Sequence, residues 1–187
     1  MKEGQPRIPL LDRDQVPPEL RSLYDTLLSQ RGVVPNMFKT VANVPGLALG
    51  FAALLKPLLS DGALSGLYKE LIATRMSVLC GSDYATAGHV TSAKQKGATD
   101  AQIAAVKSDF ESGPFSDPEK LGLRCADRLH RSGRELDDEF YAKLKNVFTD
   151  QQLVELVATA SVFEFFPRFV DGLRITLTPA PAPAGKV

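Results

Sequence analysis

At three expected helix starts in this chain a hydroxyl residue is followed three positions later by glutamine or glutamate: Thr99-Asp100-Ala101-Gln102, Ser116-Asp117-Pro118-Glu119 and Thr149-Asp150-Gln151-Gln152. In such a box the hydroxyl accepts from the backbone amide three residues on. The longer side chain reaches back to the first amide, so two otherwise orphaned donors at a helix start are satisfied reciprocally. Each box precedes apolar residues at helical spacing. They are Ile103 and Val106 after the first, Leu121, Leu123, Cys125, Ala126 and Leu129 after the second, and the run LVELVATASVFEFF after the third. No stretch alternates apolar and polar residues between hairpin turns, so the predicted fold class is all-α.

The remaining segments agree. Residues 1–16 form an extended N-terminal arm. Pro17 and Pro18 open a helix with an apolar stripe of Leu20, Leu23, Tyr24, Leu27 and Leu28, ended by Arg31-Gly32. Pro35 and Pro45 divide the next stretch into a short and a longer helix. Pro35-Asn36-Met37-Phe38 reads as a helix-start turn with core anchors, and Met37 and Phe38 are candidates for lining a substrate pocket. The longer helix is apolar nearly all round, which predicts burial by neighbours or by another subunit. Asp137 caps a helix carrying Phe140, Leu144 and Val147, and Pro167 is expected to kink or end the last long helix. One helical domain over residues 17–178 follows, then a Pro/Ala tail over 179–187 whose composition cannot bury a core.

Composition narrows the function. At 187 residues and 44% hydrophobic, the chain suits a single sizeable core. Its 22 basic residues balance 22 acidic ones, so no strong field draws nucleic acid or an anionic membrane surface. No apolar run is long enough to span a bilayer, and the first residues lack a signal-peptide core, so a cytoplasmic location is expected. Two cysteines, Cys80 and Cys125, and two histidines, His89 and His130, lack metal-ligand spacing. Neither a metal nor another cofactor is expected. Cys80 and Cys125 read as buried small hydrophobes, and His130 as a surface residue at a helix C-terminus.

The chemistry concentrates in Glu70 to His89, ELIATRMSVLCGSDYATAGH. Helical from Leu64 to Leu79, the chain breaks at Gly81 and restarts with Ser82 or Asp83 as cap, running to Gly97. Ser82, Ala85 and His89 share one face of the second helix, and Glu70 lies on the first. A carboxylate and an imidazole converging on a small-residue face form a proton-transfer pair.

A glutamate twelve residues before a small residue, then steps of three and four to a histidine, resembles the active-site segment of the AhpD-like and carboxymuconolactone decarboxylase family. The peroxidase branch carries E-x11-C-x-x-C-x3-H; Glu70, Ser82, Ala85 and His89 occupy its positions, with both thiols missing. The Pro-Asn-Met-Phe segment, KGATDAQI and the Arg168–Leu173 end of the last helix are similar too, so the frame covers about residues 30–175. The resemblance implies a small all-α AhpD-like fold that assembles as a homo-oligomer.

Serine and alanine cannot perform thiol peroxidase chemistry. The expected activity is therefore cofactor-independent acid–base chemistry, decarboxylation or proton transfer on a small organic acid or lactone. His89 would be the general acid or base and Glu70 its orienting partner. Tyr84 or Ser82 would donate to a substrate oxygen, and Arg75 or Arg168 would hold a carboxylate. The decarboxylase branch tends to carry glutamate where Ala85 stands, so the muconolactone substrate itself is not implied. Two alternatives are a hydroperoxide reductase using Cys80 and a non-catalytic ligand-binding member of the fold.

Overall fold

A computed structural model describes residues 5–180; residues 1–4 and 181–187, which include most of the expected tail, lie outside the described residues. Among the described residues the fold is all-α. The helices are α1 (Pro18–Arg31), α2 (Asn36–Val41), α3 (Pro45–Leu59), α4 (Gly66–Leu79), α5 (Asp83–Gln95), α6 (Asp100–Lys107), α7 (Asp117–Arg131), α8 (Asp138–Lys145) and α9 (Asp150–Gly172), with a 3-10 turn at Gly133–Glu135. All three capping boxes form. In the last, Gln152 N donates to Thr149 Oγ1 at 3.3 Å while Thr149 N donates to Gln152 Oε1 at 2.9 Å. Asp137 caps α8 through Phe140 N as its sequence position predicts.

The chain divides into two compact units, residues 1–56 with 170–187, and residues 57–169. In the first, the non-helical arm is tied down by its backbone. Leu11 N donates to Lys39 O, Arg7 N donates to Leu173 O, and Pro9 O accepts from Asn43 Nδ2 at 2.9 Å. Tyr24, buried on α1, donates its hydroxyl to Leu11 O at 2.9 Å. Asn36 opens α2 and donates from Nδ2 to the carbonyls of Thr176 and Leu177, both at 3.1 Å, so the Pro-Asn-Met-Phe turn anchors the segment after α9. On α3, Ala48, Phe51 and Leu58 are buried, but Leu47, Leu49 and Leu54 are exposed, so its apolar character is only partly used within the chain.

The second unit is built around α4, which packs on α5, α6 and α7. Ten of its fourteen residues are buried, several of them polar. Burial without a partner would cost about 1–3 kcal/mol per group, and each of these groups has one. Tyr68 donates to Glu119 O at 2.6 Å, Thr74 to Glu70 O at 2.8 Å and Ser77 to Ala73 O at 2.7 Å. Fully buried Lys69 donates to Glu155 Oε2 at 3.0 Å and to Pro57 O. Glu155 also accepts from Ala63 N and Leu64 N. Burial works against its charge, yet these amides and Lys69 together hold its carboxyl below the ordinary range.

Pro167 does not end α9, which continues to Gly172. Lacking an N–H, the proline leaves the carbonyl of Phe163 without its usual helical donor. Burial of Phe163, Phe166 and Val170 around it offsets that loss, and packing overrides the local break signal. No helix among the described residues is long and apolar enough to cross a membrane.

Candidate functional site

The turn at Gly81 creates the site. Cys80 caps α4 in right-handed geometry, and Gly81 then takes φ +69°, where a side chain would be strained. Gly81 N donates to Val78 O and Ser82 N to Ser77 O, both at 3.0 Å, the paired bonds of a Schellman stop. Ser82, now extended, starts α5 by accepting from Ala85 N at 3.4 Å. The reversal lays α5 against α4, so His89, two turns into α5, meets Glu70, near the start of α4. Gly97 (φ +98°) ends α5 in the same way, with Gly97 N on Lys94 O and Ala98 N on Ala93 O. This leaves Lys96 at the helix end with its side chain turned back toward α4.

Glu70 is the hub. Its side chain is 1% exposed, and both of its oxygens are taken. Oε2 lies 2.8 Å from His89 Nδ1, and Oε1 accepts from Lys96 Nζ at 3.0 Å. Lys96 also donates to Leu59 O at the end of α3. Burial alone would raise the Glu70 carboxyl, but the His89 and Lys96 contacts outweigh it and hold the group below the ordinary carboxylate range. Glu70 is therefore an anion at neutral pH. An anionic carboxylate can only accept, so Nδ1 of His89 must carry the hydrogen. In the neutral ring Nε2 is then the lone-pair position, available to take a proton and return it. Phe163 of α9 packs against the His89 ring at 4.4 Å between centroids and 78° between planes, an edge-on contact that fixes the ring.

The other residues singled out from sequence have their own surroundings. Ser82 is buried and serves the α5 cap. Tyr84 is half-buried on α5; five positions before His89, it sits about 140° around the helix from it. Arg75 points away from Glu70. Its Nε and Nη2 pair with both oxygens of Asp127 on α7 at 2.7 and 2.8 Å, and its Nη1 reaches the Val106 and Ser108 carbonyls. It lines a cleft of about 350 Å³ with Arg124, Arg128 and Arg131, whose charges are matched by Glu111, Asp137 and Glu135. Arg75 pins α4 to α6 and α7 rather than facing the imidazole. Arg168 pairs with Glu164 on its own helix. Met37 and Phe38 are buried in the first unit.

Two features escaped the sequence. Lys96 had a signal, since it stands seven residues after His89, as His89 stands seven after Ser82, and so shares their face. The second had none. His130, expected on the surface, is half-buried, with Nδ1 2.9 Å from Glu164 Oε2 and 4.0 Å from Cys80 Sγ. Cys80 Sγ in turn donates to Glu164 Oε2 at 3.4 Å. The cysteine at the end of α4 thus faces His130 and Glu164. Cys125 is buried, and burial pushes its thiol up to about 12, which makes it inert at neutral pH.

Residues 45–109 match the model of the carboxymuconolactone decarboxylase family. That segment contains Glu70, Ser82, Ala85, His89 and Lys96. No curated protein matches the chain. Its fold is shared with an uncharacterised peroxidase-related protein from Silicibacter sp. TM1040, at 20% identity and TM-score 0.86 over 96% of this chain and 95% of that one. It is also shared with the debrominase Bmp8, solved with 2,3,4-tribromopyrrole, at 21% identity and TM-score 0.81 over 95% and 94% of the two chains. A third structure, from Agrobacterium tumefaciens and described as a putative antioxidant defence protein AhpD, has 20% identity and TM-score 0.67 over 73% and 94%. At these identities the likeness establishes the AhpD-like fold. No cysteine pair at C-x-x-C spacing is present in the chain.

Proposed function

We propose that this chain, which carries a carboxymuconolactone decarboxylase family segment in an AhpD-like fold without the thiol pair, is a cofactor-independent acid–base enzyme. Its substrate is a small organic acid or lactone, and its reaction is decarboxylation or proton transfer. The supporting observation is the 2.8 Å contact between His89 Nδ1 and Glu70 Oε2, with Lys96 on the other oxygen. Glu70 holds the tautomer that leaves Nε2 basic, and it stabilises the imidazolium formed when Nε2 takes a proton. Lys96 keeps Glu70 ionised and fixed.

A β-keto or vinylogous acid supplies its own electron sink. As the bond to the carboxylate breaks, CO2 leaves and the electron pair moves into the conjugated carbonyl as an enolate. His89, which has taken the proton of the acid group or one from solvent at Nε2, then delivers it to carbon. In a tautomerisation the same imidazole removes a proton from one carbon and delivers it to another. Positioned proton transfer of this kind is worth about 10²–10⁴ in rate. The thiol-reductase alternative draws no support from the geometry, because the Cys80 sulfur meets His130 and Glu164. The exposed apolar side chains of α3 (Leu47, Leu49 and Leu54) favour self-association, so the working form proposed is a homo-oligomer.

The test is a panel of β-keto acids, unsaturated lactone acids and bromopyrroles, the last included because of the fold shared with Bmp8. Carbon dioxide release and deuterium incorporation from heavy water are the readouts. Turnover should fall about 100-fold or more in His89→Ala and should survive thiol alkylation. A folded His89→Ala protein with wild-type turnover, or turnover abolished by alkylation, would overturn the assignment.

A further inference from the structure

Cys80, His130 and Glu164 come from three elements: the cap of α4, the last turn of α7 and the middle of α9. They are 50 and 34 residues apart in sequence, yet their donor atoms form a triangle with sides of 4.0, 3.4 and 2.9 Å. We propose that this triangle is a binding site for a borderline-soft divalent cation of the zinc type, separate from the Glu70–His89 pair.

Geometry distinguishes this site from a thiol–imidazole relay. In a relay the nucleophile and the orienting carboxylate use opposite ring nitrogens, so that a proton passes through the ring. Here Sγ and Oε2 both face Nδ1 of His130. Three donors aimed at one another rather than along a line are the arrangement of ligands around an ion. A triangle with these sides has an interior point about 2 Å from all three atoms. Zinc binds imidazole nitrogen and carboxylate oxygen at about 2.0–2.2 Å and thiolate sulfur at about 2.3 Å. Adjustments of a few tenths of an ångström suffice.

The charges also fit. Glu164 supplies a carboxylate oxygen and Cys80 a sulfur that becomes a thiolate. Arg168 pairs with Oε1 and leaves Oε2 toward the cysteine and histidine, orienting the ligating oxygen from behind. On binding, the thiol loses its proton to solvent and the imidazole hydrogen shifts through solvent from Nδ1 to Nε2, which frees the Nδ1 lone pair; sulfur–metal and nitrogen–metal bonds form, and thiolate plus carboxylate neutralise the dication. No oxidant or reductant enters. His130 and Glu164 side chains are 27% and 20% exposed, so the ion can enter and water can fill a fourth position. A cysteine, a histidine and a carboxylate together favour zinc over magnesium or calcium, which prefer all-oxygen shells.

The experiment uses the full chain, freed of metal by a chelator and titrated with Zn2+ and with Co2+. One ion per chain is expected, with release of a proton and a thiolate-to-cobalt charge-transfer band. Cys80→Ser and His130→Ala should each weaken binding about 100-fold or more, beyond the 10- to 100-fold usual for a supporting residue, while Glu70→Gln and His89→Ala leave it unchanged. Bound Zn2+ should also protect Cys80 from alkylation. Circular dichroism confirms that each variant is folded, and His130→Ala keeps the test valid if Cys80→Ser is unstable. Absence of stoichiometric binding, a cobalt spectrum without the thiolate band, or undiminished binding in both variants would overturn the proposal. So would Cys80 alkylation at the same rate with and without Zn2+.

Discussion

Replacing Glu70 by glutamine changes the charge at the hub and almost nothing of its shape. The amide can still serve both neighbours: its oxygen accepts from Lys96, and its NH2 donates to Nδ1 of His89. That second bond forces the imidazole hydrogen to move to Nε2, so the position that should act as base becomes a donor. The stability cost follows from the contacts. Two charge-assisted bonds, at 2.8 and 3.0 Å, become bonds in which the acceptor is neutral, a loss of about 1 kcal/mol each. The Lys96 share is smaller, because that side chain is 33% exposed. Removing the desolvation cost of a buried carboxylate offsets part of the rest. The expected net destabilisation is about 1–2 kcal/mol at pH 7.

The pH dependence is the sharper readout. Glu70 has its folded-state pKa below the ordinary carboxylate value of 4.5. Its contribution to stability is therefore fully present above about pH 4.5 and is lost as pH falls through the folded value. The gap between wild type and Glu70→Gln should close as pH is lowered through that window. Urea denaturation from pH 3 to 8 measures the gap, and nitrogen-15 NMR of the His89 ring reads the tautomer directly. Expected are a neutral Nδ1–H ring in the wild type and an Nε2–H ring in the variant. A wild-type ring protonated on Nε2 in its neutral form, or a stability gap constant across pH, would refute the reasoning.

Gly122 of α7 lies where an added Cβ would be 2.2 Å from the hydroxyl of Tyr68, which itself donates to Glu119 O. Gly122→Ala should cost about 2–4 kcal/mol in thermal or urea unfolding, from overpacking and the strained hydrogen bond; adding Tyr68→Phe should recover part of it. Arg75→Lys keeps the charge but loses the two-point pairing with Asp127 and the two carbonyl contacts. It should cost about 1–3 kcal/mol in unfolding measurements and leave turnover within about twofold.

What the sequence disclosed was local. Thr99, Ser116, Asp137 and Thr149 each carry their cap partner three residues on, so helix starts were legible before any packing was known. The Gly81 break and the spacing of Ser82, Ala85 and His89 were legible for the same reason. Lys96 extends that stripe by one more step of seven. By contrast, nothing local marks Lys69 as buried, and its partner Glu155 lies 86 residues away. Only the assembled unit shows the lysine to be buried. Arg75 and Arg168 read in sequence as isolated cations, and their partners Asp127 and Glu164, 52 and four residues away, emerge only in the folded chain. Pro167 does not end α9, because a local break signal cannot weigh the packing of the long helix around it.

The two side-chain groups share a scaffold without sharing a role. Glu70 and Cys80 stand ten positions apart on α4, about 15 Å along its axis. Phe163 and Glu164 are consecutive on α9, about 100° apart around it; one meets His89 and the other meets His130. Rigidity in this helix pair therefore serves both ends. At one end is a hard group of carboxylate, imidazole and ammonium, whose hydrogen bonds set a tautomer. At the other, a thiol, an imidazole and a carboxylate converge on a point. With serine and alanine at positions 82 and 85, the first group holds no sulfur. The sulfur at Cys80 faces a different imidazole, so it belongs to the second group rather than replacing what the first one lacks.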